Sequence, residues 1–333
     1  MNIPDGLCLS TLKAIKGSGF SASARRHLWS GQKVPRVLPF SRETFQAFRG
    51  ENAGRMSLSG VQEKISLRLS VGVLAPATAG GTHLLKPVPR AWAHTLELPH
   101  DVPANEHVTM QIAAQVFKMP VAACGLVFFP DGEPALIVRR FDRDPESGRP
   151  LRQEDFCQLA GLSATTAGRN FKYEGSYEQC GTILRRYCPA WRVEVRKLFR
   201  QILFNYVIGN GDAHLKNFSL LESRFGDHTL SPAYDLVCTS LHLPHETRLA
   251  LDLFADEHET PFQSANGFAG RPDFLELAGR FGLPAAQAAA WLDEIPARRE
   301  AMVALVGRSL LSREAKTRYQ AIINDRLAAL DAG

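Results

Sequence analysis

A chain of 333 residues and 36.7 kDa is long enough to bury a sizeable core and to divide into two lobes or domains. Hydrophobic residues at 45% against 22% charged are the balance of an ordinary soluble globular protein, and the net charge of +5 is spread along the chain, which permits an acidic partner or RNA without arguing for either. Cys8, Cys124, Cys157, Cys180, Cys188 and Cys238 include no C-x-x-C pair, and no run of eighteen uncharged apolar residues or signal-peptide pattern occurs. Buried thiols in a reducing cytoplasm are expected, rather than disulfides, a zinc site, a leader or a membrane span.

Residues 1–55 carry the least information. Gly17-Ser18-Gly19-Phe20-Ser21-Ala22 fits G-x-G-x-x-A, but no apolar strand precedes it and no acidic strand end follows, so a dinucleotide turn is rejected. Arg25, Arg26, His27, Lys33 and Arg36 read as a solvated face or a partner surface. Ser41 heads a short helix reaching Phe48, with Phe45 and Phe48 on one side. From Arg55 the pattern changes. Ile65, Leu67 and Leu69 alternate with Ser66, Arg68 and Ser70, the period of a strand, and Val71–Leu74 and Thr82–Lys86 give two more around a Gly80-Gly81 turn. Lys86 emerges at a strand end, where it is either a phosphate-binding ammonium or a surface lysine. Pro103–Met119 has helical spacing. Glu106 near its start is placed equally well to pair with Lys86 or to answer the helix dipole. Pro130-Asp131-Gly132-Glu133 joins a hairpin, Ala122–Phe129 with Pro134–Phe141, and the strand pattern stops at Arg139–Asp144.

Beyond that point the text is helical. Gln153–Ala160 is expected as a short helix and Ser163–Tyr177 as a polar loop. Glu194–Ile208 is the strongest helix, with a wide apolar stripe from Val195 to Val207. It runs into Gly209-Asn210-Gly211-Asp212-Ala213-His214-Leu215-Lys216-Asn217. Asp212 and Asn217 stand in the D-x-x-x-x-N spacing of a kinase catalytic loop. Phe218–Leu221, a turn over Glu222–Asp227 and a returning Thr229–Tyr234 would bring Asp235 back beside Asn217. An amide oxygen and a carboxylate of this kind suit Mg²⁺. Asp212, Asn217 and Asp235 are also turn formers, and for Asp212 alone that reading would win, but a carboxylate, an imidazole, an amine and an amide within six residues are harder to explain that way. The tail holds amphipathic segments around 273–281, 285–292, 297–306 and 312–330. His242-Leu243-Pro244-His245 lacks an adjacent acid or third ligand and is set aside as a metal site.

Ser57 to Lys64, Thr82 to Pro87, Asn105-Glu106, Arg139 to Arg143, Gln153-Glu154-Asp155, Gly209 to Asn217 and Tyr234-Asp235, in this order and spacing, resemble the HipA family of serine/threonine kinases, toxins of bacterial toxin–antitoxin systems. The Ser57-Leu58-Ser59 sequence and the short segment ahead of it look most like the shortened HipT-type branch. The resemblance implies an α+β, two-lobed protein-kinase-like fold. Its β-rich N-lobe would span residues 1–140, with a phosphate-covering loop over 55–64, and an all-helical C-lobe would span 141–333.

By the same resemblance Asp212 is the catalytic base or the group that orients the substrate hydroxyl, with His214 supporting the loop, and Asn217 and Asp235 are Mg²⁺ ligands. Lys86, Ser59 and Gly60 meet the ATP phosphates, and the backbone of Arg139 to Phe141 is the adenine hinge. Ser57 and Ser59 match autophosphorylation positions, where a phosphate adds about −1.5 to −2 charges. The implied partners are a HipS-like small protein and a HipB-like helix-turn-helix antitoxin, with DNA reached only through the antitoxin. The implied substrate is an aminoacyl-tRNA synthetase, the tryptophanyl enzyme for HipT-type relatives. Gly211 in place of arginine, Tyr234-Asp235-Leu236 in place of D-F-G and the lack of A-P-E depart from ordinary protein kinases. A catalytically silent kinase-like co-repressor is the alternative reading.

Overall fold

The computed structural model describes residues 5–52, 63–144, 146–256 and 258–332. They form two compact units, one drawn from residues 1–112, 121–141 and 305–316, the other from 113–120, 142–304 and 317–333.

In the first unit two helices, α1 (Ala22–Trp29) and α2 (Arg42–Glu51), precede a five-stranded antiparallel sheet. Ser21 and Ser41 cap them, accepting the Ala24 and Thr44 N–H groups. The strands are β1 (Ile65–Ser70), β2 (Val73–Pro76), β3 (His83–Pro87), β4 (Cys124–Phe128) and β5 (Pro134–Arg139), in the order β2-β1-β3-β5-β4. In β1, Ile65 and Leu67 are buried and Arg68 is exposed, as its alternation requires; β4 is buried at every position and β5 up to Val138, as continuous apolar runs are. The free edge of β4 is closed by segments that carry no strand signal. Leu126 donates to the Leu9 carbonyl, Phe128 to that of Arg36, and Leu38 to that of Phe128. Trp29, Phe45, Leu85, Phe128, Phe129 and Ile137 share the resulting core.

Arg42 is buried in this core and donates to Glu63 Oε2 at 2.7 Å and to the Val88 carbonyl at 2.9 Å, with its guanidinium 4.5 Å from the Phe45 ring centroid. Glu63 is the first described residue ahead of β1, so this pair fixes the point where the chain enters that strand. The helix α3 (Val102–Gln115) is buried on all sides over its first ten residues.

The second unit contains α4 (Phe156–Leu159), α5 (Ala164–Ala167), α6 (Tyr177–Tyr187), α7 (Trp191–Val207), α8 (Pro261–Asn266), α9 (Arg271–Arg280) and α10 (Ala285–Ala297); α11 (Arg299–Arg308) and α12 (Arg313–Asp331) follow. It is not all-helical. The strands β6 (Gln153–Asp155), β7 (Ser219–Glu222) and β8 (His228–Leu230) form an antiparallel sheet, with Glu154 opposite Leu220 and Leu221 opposite Thr229. The hairpin expected after Asn217 is therefore present. The helix expected over Gln153–Ala160 is corrected to a strand and one turn of helix, because Asp155 accepts the Gln158 N–H as an N-cap. A cap residue is extended, which leaves 153–155 to pair with β7. The loop expected over Ser163–Tyr177 is also corrected. It holds α5 and a 3₁₀ turn at Phe171–Tyr173, and at its end Ser176 and Gln179 make the capping box that starts α6.

Candidate active site

In the second unit α7 delivers the chain to the Asp212 loop. Gly209 ends the helix at φ +71°, and a Cβ there would lie 2.6 Å from Ile322 Cγ2. Asn210 turns back onto Asn205 through a side-chain bond of 2.9 Å, and its Oδ1 receives the Asp212 N–H at 3.2 Å. Gly211 donates to Thr239 Oγ1 at 2.8 Å. A Cβ at 211 would strike the Thr247 carbonyl and lie 2.6 Å from Glu246 Oε2. The arginine that ordinary kinases carry here has no room.

Two neighbours from the 3₁₀ turn meet one oxygen of Asp212. The Tyr173 hydroxyl donates to Oδ1 at 2.5 Å, and Lys172 Nζ stands 3.6 Å from the same atom. His214 Nε2 is 3.9 Å from Oδ2. Burial lowers the His214 imidazole to about 4, against the pull of Asp212, so the ring is neutral at neutral pH. Lys216 is tied to Asp155 at 2.6 Å, and Tyr177 donates to the Ala213 carbonyl at 3.0 Å. The loop is thus held from β6, from α6 and from the turn before α6.

Asn217 Oδ1 accepts the His214 N–H at 3.1 Å, which leaves one lone pair on the amide oxygen. The segment bearing Asp235 is strapped to this loop, since Tyr234 donates to the Lys216 carbonyl at 2.8 Å and its hydroxyl also bonds Ser219 Oγ. Asp235 itself takes φ +52°, and its charge is felt at the His214 ring. Among the described residues no group of three His, Cys, Asp or Glu side chains is placed to hold a metal ion. An amide oxygen with one carboxylate fits Mg²⁺, which keeps several waters and needs one or two protein ligands beside phosphate oxygens.

In the first unit Lys86 and Glu106 meet in a buried ion pair, Nζ to Oε1 at 2.6 Å. Glu106 is the fifth residue of α3, past the first turn, so the pairing with Lys86 and not the helix dipole accounts for it. Arg139 sends its guanidinium to the His27 carbonyl at 2.8 Å, and Phe141 is half-buried at the last residue of its segment. Ser57, Ser59 and Gly60 lie outside the described residues.

Tyr173, Lys172 and Glu246 were not singled out from sequence. The Glu246 carboxylate accepts the Thr239 hydroxyl, and burial pushes its acid up to about 7, with the Asp212 charge adding to the rise. The folded chain then keeps a proton that the unfolded one releases near 4.5. The stability this gives is complete below the unfolded value and is lost as pH rises through the folded one. Melting temperature should therefore fall between about pH 5 and about pH 8. Glu246→Gln should remove much of that slope; the same slope in both proteins would contradict the assignment.

Residues 56–303 match the HipA-like C-terminal domain. A Haemophilus influenzae protein named "Putative kinase" is 31% identical over 296 residues, 83% of this chain and 83% of that protein. The serine/threonine-protein kinase toxin HipA of Shewanella oneidensis is 32% identical over 213 residues, which are 59% of this chain and 46% of the toxin, so the chain spans about half the length of that relative. The structure of S. oneidensis MR-1 HipA with HipB and its operator DNA covers 89% of this chain and 74% of that one, with a TM-score of 0.64 at 24% identity. The likeness is one of fold, and the fold is the α+β, kinase-like one expected. Among the described residues no helix is long and apolar enough to cross a membrane. The domain match over most of the chain, together with a relative aligned along four-fifths of both sequences, shows that this chain belongs to the HipA family.

Proposed function

We propose that the chain is a Mg-ATP-dependent serine/threonine protein kinase and the toxin of a bacterial toxin–antitoxin system. The observation that carries this reading is the D-x-x-x-x-N loop with Asp212 fixed by its Oδ1 and the Tyr234-Asp235 segment strapped back onto it. The buried Lys86–Glu106 pair is what a strand lysine and helix glutamate make in kinases, where the lysine holds ATP phosphates. Asp212 Oδ2 receives the proton of an acceptor hydroxyl. The hydroxyl oxygen bonds the γ-phosphorus, the bond from that phosphorus to the β,γ-bridging oxygen breaks, and ADP leaves. Asn217 and Asp235 would hold Mg²⁺, which neutralises charge on the phosphates when bound. Arg139 to Phe141 supply the adenine hinge, and Ser59 and Gly60 cover the phosphates.

The acceptors in this reading are Ser57 and Ser59 within the chain and an aminoacyl-tRNA synthetase outside it, of which the tryptophanyl enzyme is the first to try. Serines at both 57 and 59 favour the HipT-type branch, with a HipS-like protein and a HipB-like antitoxin as partners, DNA reached only through the latter, in the cytoplasm. The test is transfer of label from the γ-phosphate of ATP to purified aminoacyl-tRNA synthetases. Label on one of them, with growth arrest relieved by co-expressed antitoxin, is expected. Nucleotide binding without transfer to any protein would favour the co-repressor alternative.

A further inference from the structure

Three consecutive residues, Phe171, Lys172 and Tyr173, all engage the Asp212 loop from outside it. Lys216 Nζ lies 5.8 Å from the centroid of the Phe171 ring. Lys172 and Tyr173 converge on Asp212 Oδ1, at 3.6 and 2.5 Å. The Tyr173 ring stands edge-on to His214 with centroids 5.3 Å apart, and Lys172 Nζ sits 4.7 Å from the centroid of the Tyr173 ring. The turn approaches closely because Gly175, at φ +149°, has no side chain: a Cβ there would lie 2.7 Å from Gln179 Oε1 and 3.3 Å from Leu215 Cδ1. Ser176 then caps α6 and anchors the turn's far end.

A carboxylate on a loop rotates about its own bonds, and a base that must meet a hydroxyl in line with a phosphate works in one orientation only. Oδ1 is taken by a donor and a cation, so Oδ2, with His214 Nε2 3.9 Å away, is left to receive a proton. Burial keeps the Tyr173 phenol well above its usual range, so it stays a donor throughout the working pH. We infer that Lys172 and Tyr173 are positioning residues of the kinase, locking Asp212 with Oδ2 turned to the acceptor hydroxyl and placing a positive charge beside it.

This rests on the phosphotransferase reading above. The test is steady-state kinetics of the full chain and its Tyr173→Phe, Lys172→Met and Lys172→Arg variants, with ATP varied and melting followed in parallel. Tyr173→Phe and Lys172→Met should each lower kcat about tenfold with KM for ATP unchanged, and Lys172→Arg should recover most of the loss. A kcat for Tyr173→Phe equal to or above that of the parent would overturn the inference, because the hydroxyl would then be a bystander or an obstruction. Should Tyr173→Phe fail to fold, the Lys172 pair decides: equal kcat in Met and Arg variants overturns it. A parent chain that transfers no phosphate removes the reading itself, and the inference with it.

Discussion

Asp212→Asn is expected to slow phosphoryl transfer by about 10²- to 10⁴-fold while KM for ATP stays within about twofold. Asparagine keeps the shape of the side chain, and its amide oxygen still accepts the Tyr173 hydroxyl that Oδ1 now takes. What it loses is the second carboxylate oxygen, the one left to accept a proton, and the negative charge facing Lys172. In the proposed reading ATP is held by other groups, so the loss falls on kcat. A drop in kcat of less than about tenfold would mean that the acceptor proton goes elsewhere, since proton transfer by a placed side chain contributes more than that. Asp212 is 38% exposed and makes no buried ion pair, so the variant should melt near the parent.

Lys86→Met acts in the opposite order, on stability first. It removes the ammonium 2.6 Å from Glu106 and leaves the carboxylate buried without it, a change that costs about 3–5 kcal/mol. The double variant Lys86→Met/Glu106→Leu should regain most of that loss, because two apolar side chains replace a pair whose desolvation was itself costly. ATP binding should not return, since no cation remains at that position. Denaturant unfolding and nucleotide titration of the two variants separate these effects. Equal stability of the single and double variants would show that the ion pair does not account for the burial of Glu106.

The strands were legible where burial imposes a simple pattern. The period of Ile65–Ser70 and the apolar runs on either side of Pro130–Glu133 are direct consequences of one-sided and two-sided burial. The three residues of β6 were not, because Gln153-Glu154-Asp155 carries no apolar pattern and pairs only because β7 offers an edge. The helix α6 was legible and missed. Ser176 followed by Gln179 is a capping box, and Tyr177, Cys180 and Leu184 form its buried face, although no helix or strand was assigned to these residues from sequence.

At the candidate site, Asp212, Asn217 and Asp235 stood out because their spacing is local or nearly so. Tyr173 and Lys172 lie about forty residues earlier and carry no motif, so only the fold shows that they reach Asp212. Gly211 looked like a departure from the kinase pattern and turns out to be a packing requirement, with the Thr247 carbonyl and the Glu246 carboxylate in the space a side chain would need.

The most direct measurement is the intact mass of the purified chain before and after incubation with ATP and Mg²⁺, followed by mapping of any added group. A gain of one or two phosphoryl groups on Ser57 or Ser59, lost in Asp212→Asn and on omission of Mg²⁺, is what a self-phosphorylating kinase built on this loop predicts. An unchanged mass in a chain that binds ATP, or the same gain in Asp212→Asn, would contradict it.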